Sequence, residues 1–105
     1  MNVNDSITDS ESFKTMLPGE KLREFGAEYC TQTELLAIIM GPGTKERSSM
    51  QIAEEIIDTY LSLPGLMGVS LEELMKIKGL NEEMVTQISA AFELAQRLVK
   101  WLDRQ

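Results

Sequence analysis

From Pro18 onward the apolar residues recur every three or four positions, the period of a helix that buries one face. Pro18 and Gly19 open the first such stretch and Gly26 stops it, which predicts a short helix over residues 20–25. Thr31 stands three residues before Glu34, a capping box in which each side chain satisfies the other residue's amide. The helix it starts carries Leu35, Leu36, Ile38 and Ile39 and ends at Gly41-Pro42-Gly43. Ser48 and Gln51 form a second capping box, followed by a stripe of Ile52, Ala53, Ile56, Ile57, Tyr60 and Leu61. Leu63-Pro64-Gly65 breaks that helix, and Ser70 with Glu73 gives a third capping box that opens a short helix running to Lys78.

The longest stretch spans residues 82–103. Its stripe is Met84, Ile88, Ala91, Phe92, Ala95, Leu98, Val99 and Leu102, with Asn81 placed to cap it. Trp101 reads as a lid on the core, or else as a docking point for a downstream domain or a second copy. No segment alternates as a half-buried strand does. The pattern predicts an all-α domain over residues 16–105, a compact bundle of about five helices. Residues 1–15 are polar and carry no stripe, so they read as a flexible arm, pinned by Ile7 or Phe13.

Composition narrows the chemistry. The chain of 105 residues has no histidine, which removes Ser–His and Cys–His nucleophiles and histidine metal sites. Cys30 stands alone, so it reads as a structural thiol in a reducing compartment. The pairs Glu54-Glu55, Glu72-Glu73 and Glu82-Glu83 are adjacent on helices and do not face each other, so they read as solvated charge rather than acid/base pairs. No metal, cofactor or catalytic constellation is expected. No apolar run approaches the roughly 20 residues of a membrane span, and the expectation is a soluble cytoplasmic protein. With only six aromatic residues, seven methionines are expected to help fill the core. The net charge of −7 opposes strong, non-selective DNA binding and leaves room for a local basic patch.

Two segments 38 residues apart resemble each other. Glu34, Leu36, Ile39 and Gly41 match Glu72, Leu74, Ile77 and Gly79, and each segment is a short helix ending in a glycine hairpin before a longer helix. Glycine lets such a turn take positive φ and bring backbone close to a ligand. The following helix offers unpaired amides to a phosphate, so binding of this kind reads no base sequence.

Pro18-x-Glu20-Lys21-Leu22, Gly26-Ala27-Glu28, Glu34-Leu35-Leu36-Ala37-Ile38-Ile39, Gly41-x-Gly43-Thr44-Lys45 and Ile77-Lys78-Gly79 occur in this order. The series resembles the N-terminal region of the bacterial RadC family, described as DNA-repair-associated, over about residues 16–100. The resemblance implies a helix-hairpin-helix domain. In that family a JAB-type metalloprotease-like domain with metal-ligating histidines follows, and this chain has no histidine. Only the non-catalytic helical part is therefore implied. Asn81, Glu82 and Glu83 stand where the family has a second glycine and then small or basic residues, and Glu46 replaces a common glycine. An N-cap asparagine occupies amides a phosphate needs. The glutamates each favour the helix start by about 0.3–1 kcal/mol while repelling an anion.

The candidate DNA-backbone site is therefore centred on the first hairpin, with Gly41, Gly43, Thr44, Lys45 and Arg47. Lys76, Lys78 and Gly79 join it if the hairpins lie side by side. Four phosphate contacts give a salt slope of only about −3.6, hence weak binding. The alternative is a protein-interaction or domain-docking module whose hairpins have lost DNA binding. It would be partnered by another protein, a downstream domain or a second copy in a homodimer.

Overall fold

The computed structural model describes residues 15–105. The expected N-terminal arm, with Ile7 and Phe13, lies outside them apart from Thr15. The helices are α1 (Pro18–Phe25), α2 (Gln32–Met40), α3 (Ser49–Tyr60), α4 (Leu63–Leu66), α5 (Leu71–Leu74) and α6 (Glu82–Asp103), with a 3-10 turn over Ala27–Tyr29. Among the described residues there is no strand, and the all-α expectation holds.

Two of the three predicted capping boxes are complete. Glu34 N donates to Thr31 Oγ1 (3.1 Å) and Thr31 N to Glu34 Oε1 (2.9 Å). Gln51 N donates to Ser48 Oγ (3.1 Å) and Ser48 N to Gln51 Oε1 (2.8 Å). Asn81 caps α6 through Met84 N (2.9 Å). At Ser70 only half the box forms, because the Glu73 carboxylate turns away to Lys76. Helix α5 stops at Leu74, short of the expected Lys78, because the chain tightens there into turns bonded Lys76 N to Glu73 O and Ile77 N to Leu74 O.

The core forms where α2, α3 and the first turns of α6 meet. Ile52, Ile56, Met84 and Ile88 are its largest fully buried side chains, each contributing about 1.5–3 kcal/mol by leaving water. Leu74, Ile77 and Leu80 seal it from the second hairpin. Three expectations are corrected here. Leu63-Pro64-Gly65 does not merely break the chain but forms α4, capped by Ser62 Oγ on Gly65 N. The break falls at Leu61, which takes a left-handed φ of 68° and is 84% exposed instead of joining the stripe. The methionines divide: Met40 and Met84 are core, whereas Met67 and Met75 lie on the surface.

Candidate nucleic-acid interface

The two hairpins sit against each other. A Cβ on Gly79 would come within 3.0 Å of Ile52 Cδ1 and 3.5 Å of Arg47 Cδ, so the second turn rests on the start of α3. Gly41 and Gly79 both take positive φ, 79° and 95°, as the repeat predicts. Beyond that point the repeat diverges. The second turn reaches its N-cap, Asn81, two residues after Gly79, whereas the first runs from Gly41 to Ser48.

That longer loop is closed on itself. Thr44 N donates to Arg47 O (2.8 Å) and Arg47 N donates back to Thr44 Oγ1 (3.1 Å), so the threonine hydroxyl serves the loop. Gly43 is needed by the same closure, since a Cβ there would stand 2.5 Å from Arg47 O and 2.6 Å from Ser49 N. Its bareness admits the protein's own backbone.

Arg47 joins the hairpins. Its Nη1 donates to Lys78 O (2.7 Å) and pairs with Glu55 Oε1 (3.0 Å), and Nη2 reaches Gln51 O (3.3 Å). A planar guanidinium with several donors suits this bridging role, which a lysine could not reproduce. Lys76 pairs with Glu73 at 2.9 Å, and that hydrogen bond and charge raise its ammonium above the usual lysine range. Lys45 and Lys78 enter none of the ion pairs among the described residues. The structure thus brings Arg47 and Lys78 together and commits Arg47 and Lys76 to internal partners.

The surroundings are acidic. Arg47 and Lys78 line an open hollow of about 640 Å³ with Glu46, Glu54, Glu55 and Asp58, four carboxylates against two cations. The helix starts beside it are occupied by Ser48, Gln51 and Asn81. A phosphate entering here meets like charge, and the amides of Ser48, Gln51 and Met84 are already bonded.

Two features lay outside the sequence reading. Lys21 Nζ and Glu34 Oε2 form a buried ion pair at 2.7 Å, joining α1 to α2. Burial pushes the Glu34 carboxyl up, but hydrogen bonds from Lys21 and the Thr31 amide and the Lys21 charge outweigh it and hold the group below the usual range. Both residues were legible as motif positions, and the capping box accounted for Glu34 only in part. Near the pair, burial and the Glu34 charge raise the Cys30 thiol, and Cys30 Sγ lies 4.0 Å from Pro18 O.

The second feature is a correction. Of the α6 stripe, only the residues up to Ile88 are buried. Leu98, Val99 and Leu102 are exposed, and Leu94 joins them at 68%. Trp101 is 56% exposed and covers no core. Helix α6 spans about 33 Å, and its far half leaves an open apolar hollow between itself and α4.

Fold and hairpins together define an all-α module of two abutting glycine hairpins with a projecting C-terminal helix. A family model described as UPF0758 N-terminal matches residues 11–86, and the chain belongs to that family. The RadC-type resemblance is thereby borne out. The chain is 42% identical to a UPF0758 protein of Bacillus velezensis over 83 residues, 79% of this chain and 36% of that protein. It is 42% identical to one of Alkaliphilus oremlandii over 82 residues, 77% of this chain and 35% of the other. With one of Coprothermobacter proteolyticus it shares 33% over 99 residues, 94% of this chain and 42% of its relative. The chain thus spans about two-fifths of the length of the curated relatives it matches. No solved structure matches it. Among the described residues, no helix is long and apolar enough to cross a membrane.

Proposed function

We propose that this chain is a non-catalytic protein-docking module, in which the paired hairpins are scaffold and the far half of α6 presents the docking face. One observation carries the reading: the α6 stripe continues past Ile88 as an exposed apolar face, with Leu94, Leu98, Val99, Trp101 and Leu102 each more than half exposed. Contiguous apolar surface of this kind marks an interaction site on a soluble domain. The hairpin end argues the same way, since its arginine, two of its caps and its threonine hydroxyl serve internal bonds.

A second reading, weak sequence-independent DNA-backbone binding, rests on Lys45 and Lys78, whose ammonium groups have no partner in any ion pair among the described residues. Two phosphate contacts correspond to a salt slope of about −1.8. Fluorescence anisotropy of labelled duplex and forked DNA, at about 20 mM and about 150 mM salt, separates the two readings. The informative variant is Lys45→Glu/Lys78→Glu, because replacing Arg47 would remove the hairpin bridge. We expect no binding at either salt. Salt-sensitive binding that the double variant abolishes would overturn the docking reading in favour of DNA.

A further inference from the structure

The distal part of α6 carries more apolar surface than one packing contact uses. At 100° per residue, the positions from Ala91 to Leu102 that are apolar cover an arc of about 180°, against the roughly 100° of a helix with one buried side. Two stripes make up the arc. Phe92, Ala95 and Val99 continue the core side and, with Leu63 and Met67, line an apolar hollow of about 610 Å³. A second hollow of about 210 Å³ adjoins it, sharing Leu63, Phe92 and Ala95 and extending to Leu35 and Ile39 of α2. On the other flank, Leu94, Leu98 and Trp101 stand out as a ridge, exposed by 68%, 59% and 56%.

Among the described residues, an open apolar groove thus lies beside an exposed apolar ridge. We infer that a second copy of this chain covers the face, with the ridge of each α6 seated in the other's groove about a two-fold axis near Leu98. The inference rests on the docking reading and names its occupant. Ridge and groove on one surface are self-complementary, as an isologous two-fold contact requires. The five large exposed side chains amount to on the order of 500 Å² per copy, so two fully covered faces bury about 1,000 Å², the lower limit for a biological interface and the size of a weak, concentration-dependent dimer.

Charge permits the contact. Residues 91–105 hold three basic groups, Arg97, Lys100 and Arg104, against two acidic ones, Glu93 and Asp103. The acidic excess behind the net −7 thus lies elsewhere in the chain, and two copies of this face do not repel each other. The charges occupy the remaining arc of the helix, where Arg97 already pairs with Glu93 at 2.9 Å.

Sedimentation equilibrium from about 1 to about 100 µM tests the inference on the wild type, Leu98→Glu, Leu98→Lys and an equal mixture of the two variants. The expected result is a mass rising toward twice the 11.8 kDa of the chain. Each variant alone should weaken association at least about tenfold, and the mixture should recover it, because opposite charges then meet at the axis. A wild type that stays monomeric throughout, or Leu98→Glu that dimerises as well as wild type, overturns the second copy as occupant. Thermal melting of monomeric Leu98→Glu separates that failure from failure of the docking reading. With an unchanged Tm the face is free and another partner takes it. A fall of more than about 5 °C means the chain's own residues cover the face, which overturns both.

Discussion

The hairpin end and the far half of α6 are opposites. Around the hairpins, polar groups have found one another: Arg47 holds three oxygens, Glu73 holds Lys76, and Ser48 and Asn81 cap the helices they precede. Along α6, Phe92 still packs on the core, but beyond it Leu94, Leu98, Val99, Trp101 and Leu102 are each more than half exposed. The family motifs sit at the saturated end. Of the residues that looked functional, Arg47, Lys76 and Thr44 are engaged internally, and only Lys45 and Lys78 keep charges outside the ion pairs of the described residues. Conspicuous motifs such as GPGTK can be conspicuous because a tight turn needs them.

The comparison breaks first if the saturated end proves indifferent to losing its partners. Lys21→Met strands the buried Glu34 carboxylate and should cost about 3–5 kcal/mol in urea unfolding. Adding Glu34→Gln should restore part of the loss, since no charge is then stranded and the glutamine oxygen can still accept from Thr31 N. The pH dependence reports the same pair. In wild type the folded Glu34 carboxyl lies below its ordinary value of 4.5, so its stabilisation is complete above that pH and is lost as pH falls through the folded value. In Lys21→Met, burial opposed only by the Thr31 hydrogen bonds raises the group instead, and the slope should change sign. Tm measured from about pH 7 to about pH 3 distinguishes the two.

Arg47→Lys is a subtler probe, because it keeps the charge and removes the fork. Losing the bonds to Lys78 O and Gln51 O should cost about 1–2 kcal/mol. If stability is unchanged, the guanidinium does not join the hairpins and its charge is available to an anion after all.

Much of the scaffold was legible in local chemistry. Thr31/Glu34 and Ser48/Gln51 predict helix starts because a cap is a contact between residues three apart, and such contacts are written in sequence. Gly41 and Gly79 were readable as turn residues for the same reason. The candidate site was less legible. That Arg47 turns inward depends on where Lys78 falls, 31 residues later, and that Lys21 meets Glu34 depends on how α1 crosses α2. The α6 stripe misled in a different way. Periodicity shows that a helix has an apolar face, but whether the same chain covers it depends on how far its other elements reach.

Leu61 offers a smaller test on the α4 side of the molecule, next to the groove. A leucine at φ 68°, 84% exposed, holds a left-handed backbone with little packing in return. Leu61→Gly should stabilise the protein by about 1 kcal/mol, since glycine takes this helix-ending conformation freely. A loss in urea unfolding would mean that the leucine packs against something in solution, and the picture of an uncovered apolar surface nearby would need revision.

The smallest expected effect discriminates most. Leu98→Glu, measured below the concentration at which copies associate, should alter unfolding free energy by no more than about 0.5 kcal/mol. Leucine and glutamate are both good helix formers, so α6 persists. The new carboxylate sits near the helix C-terminus, where the dipole opposes it by a few tenths of a kcal/mol (about 0.3). It is also solvated, because Leu98 is 59% exposed and charge at such a position keeps its water. Any larger loss must come from packing that the exposed face does not have. A near-zero change at Leu98 beside a large one at Lys21 would establish in solution that one end of this protein is complete and the other awaits a partner.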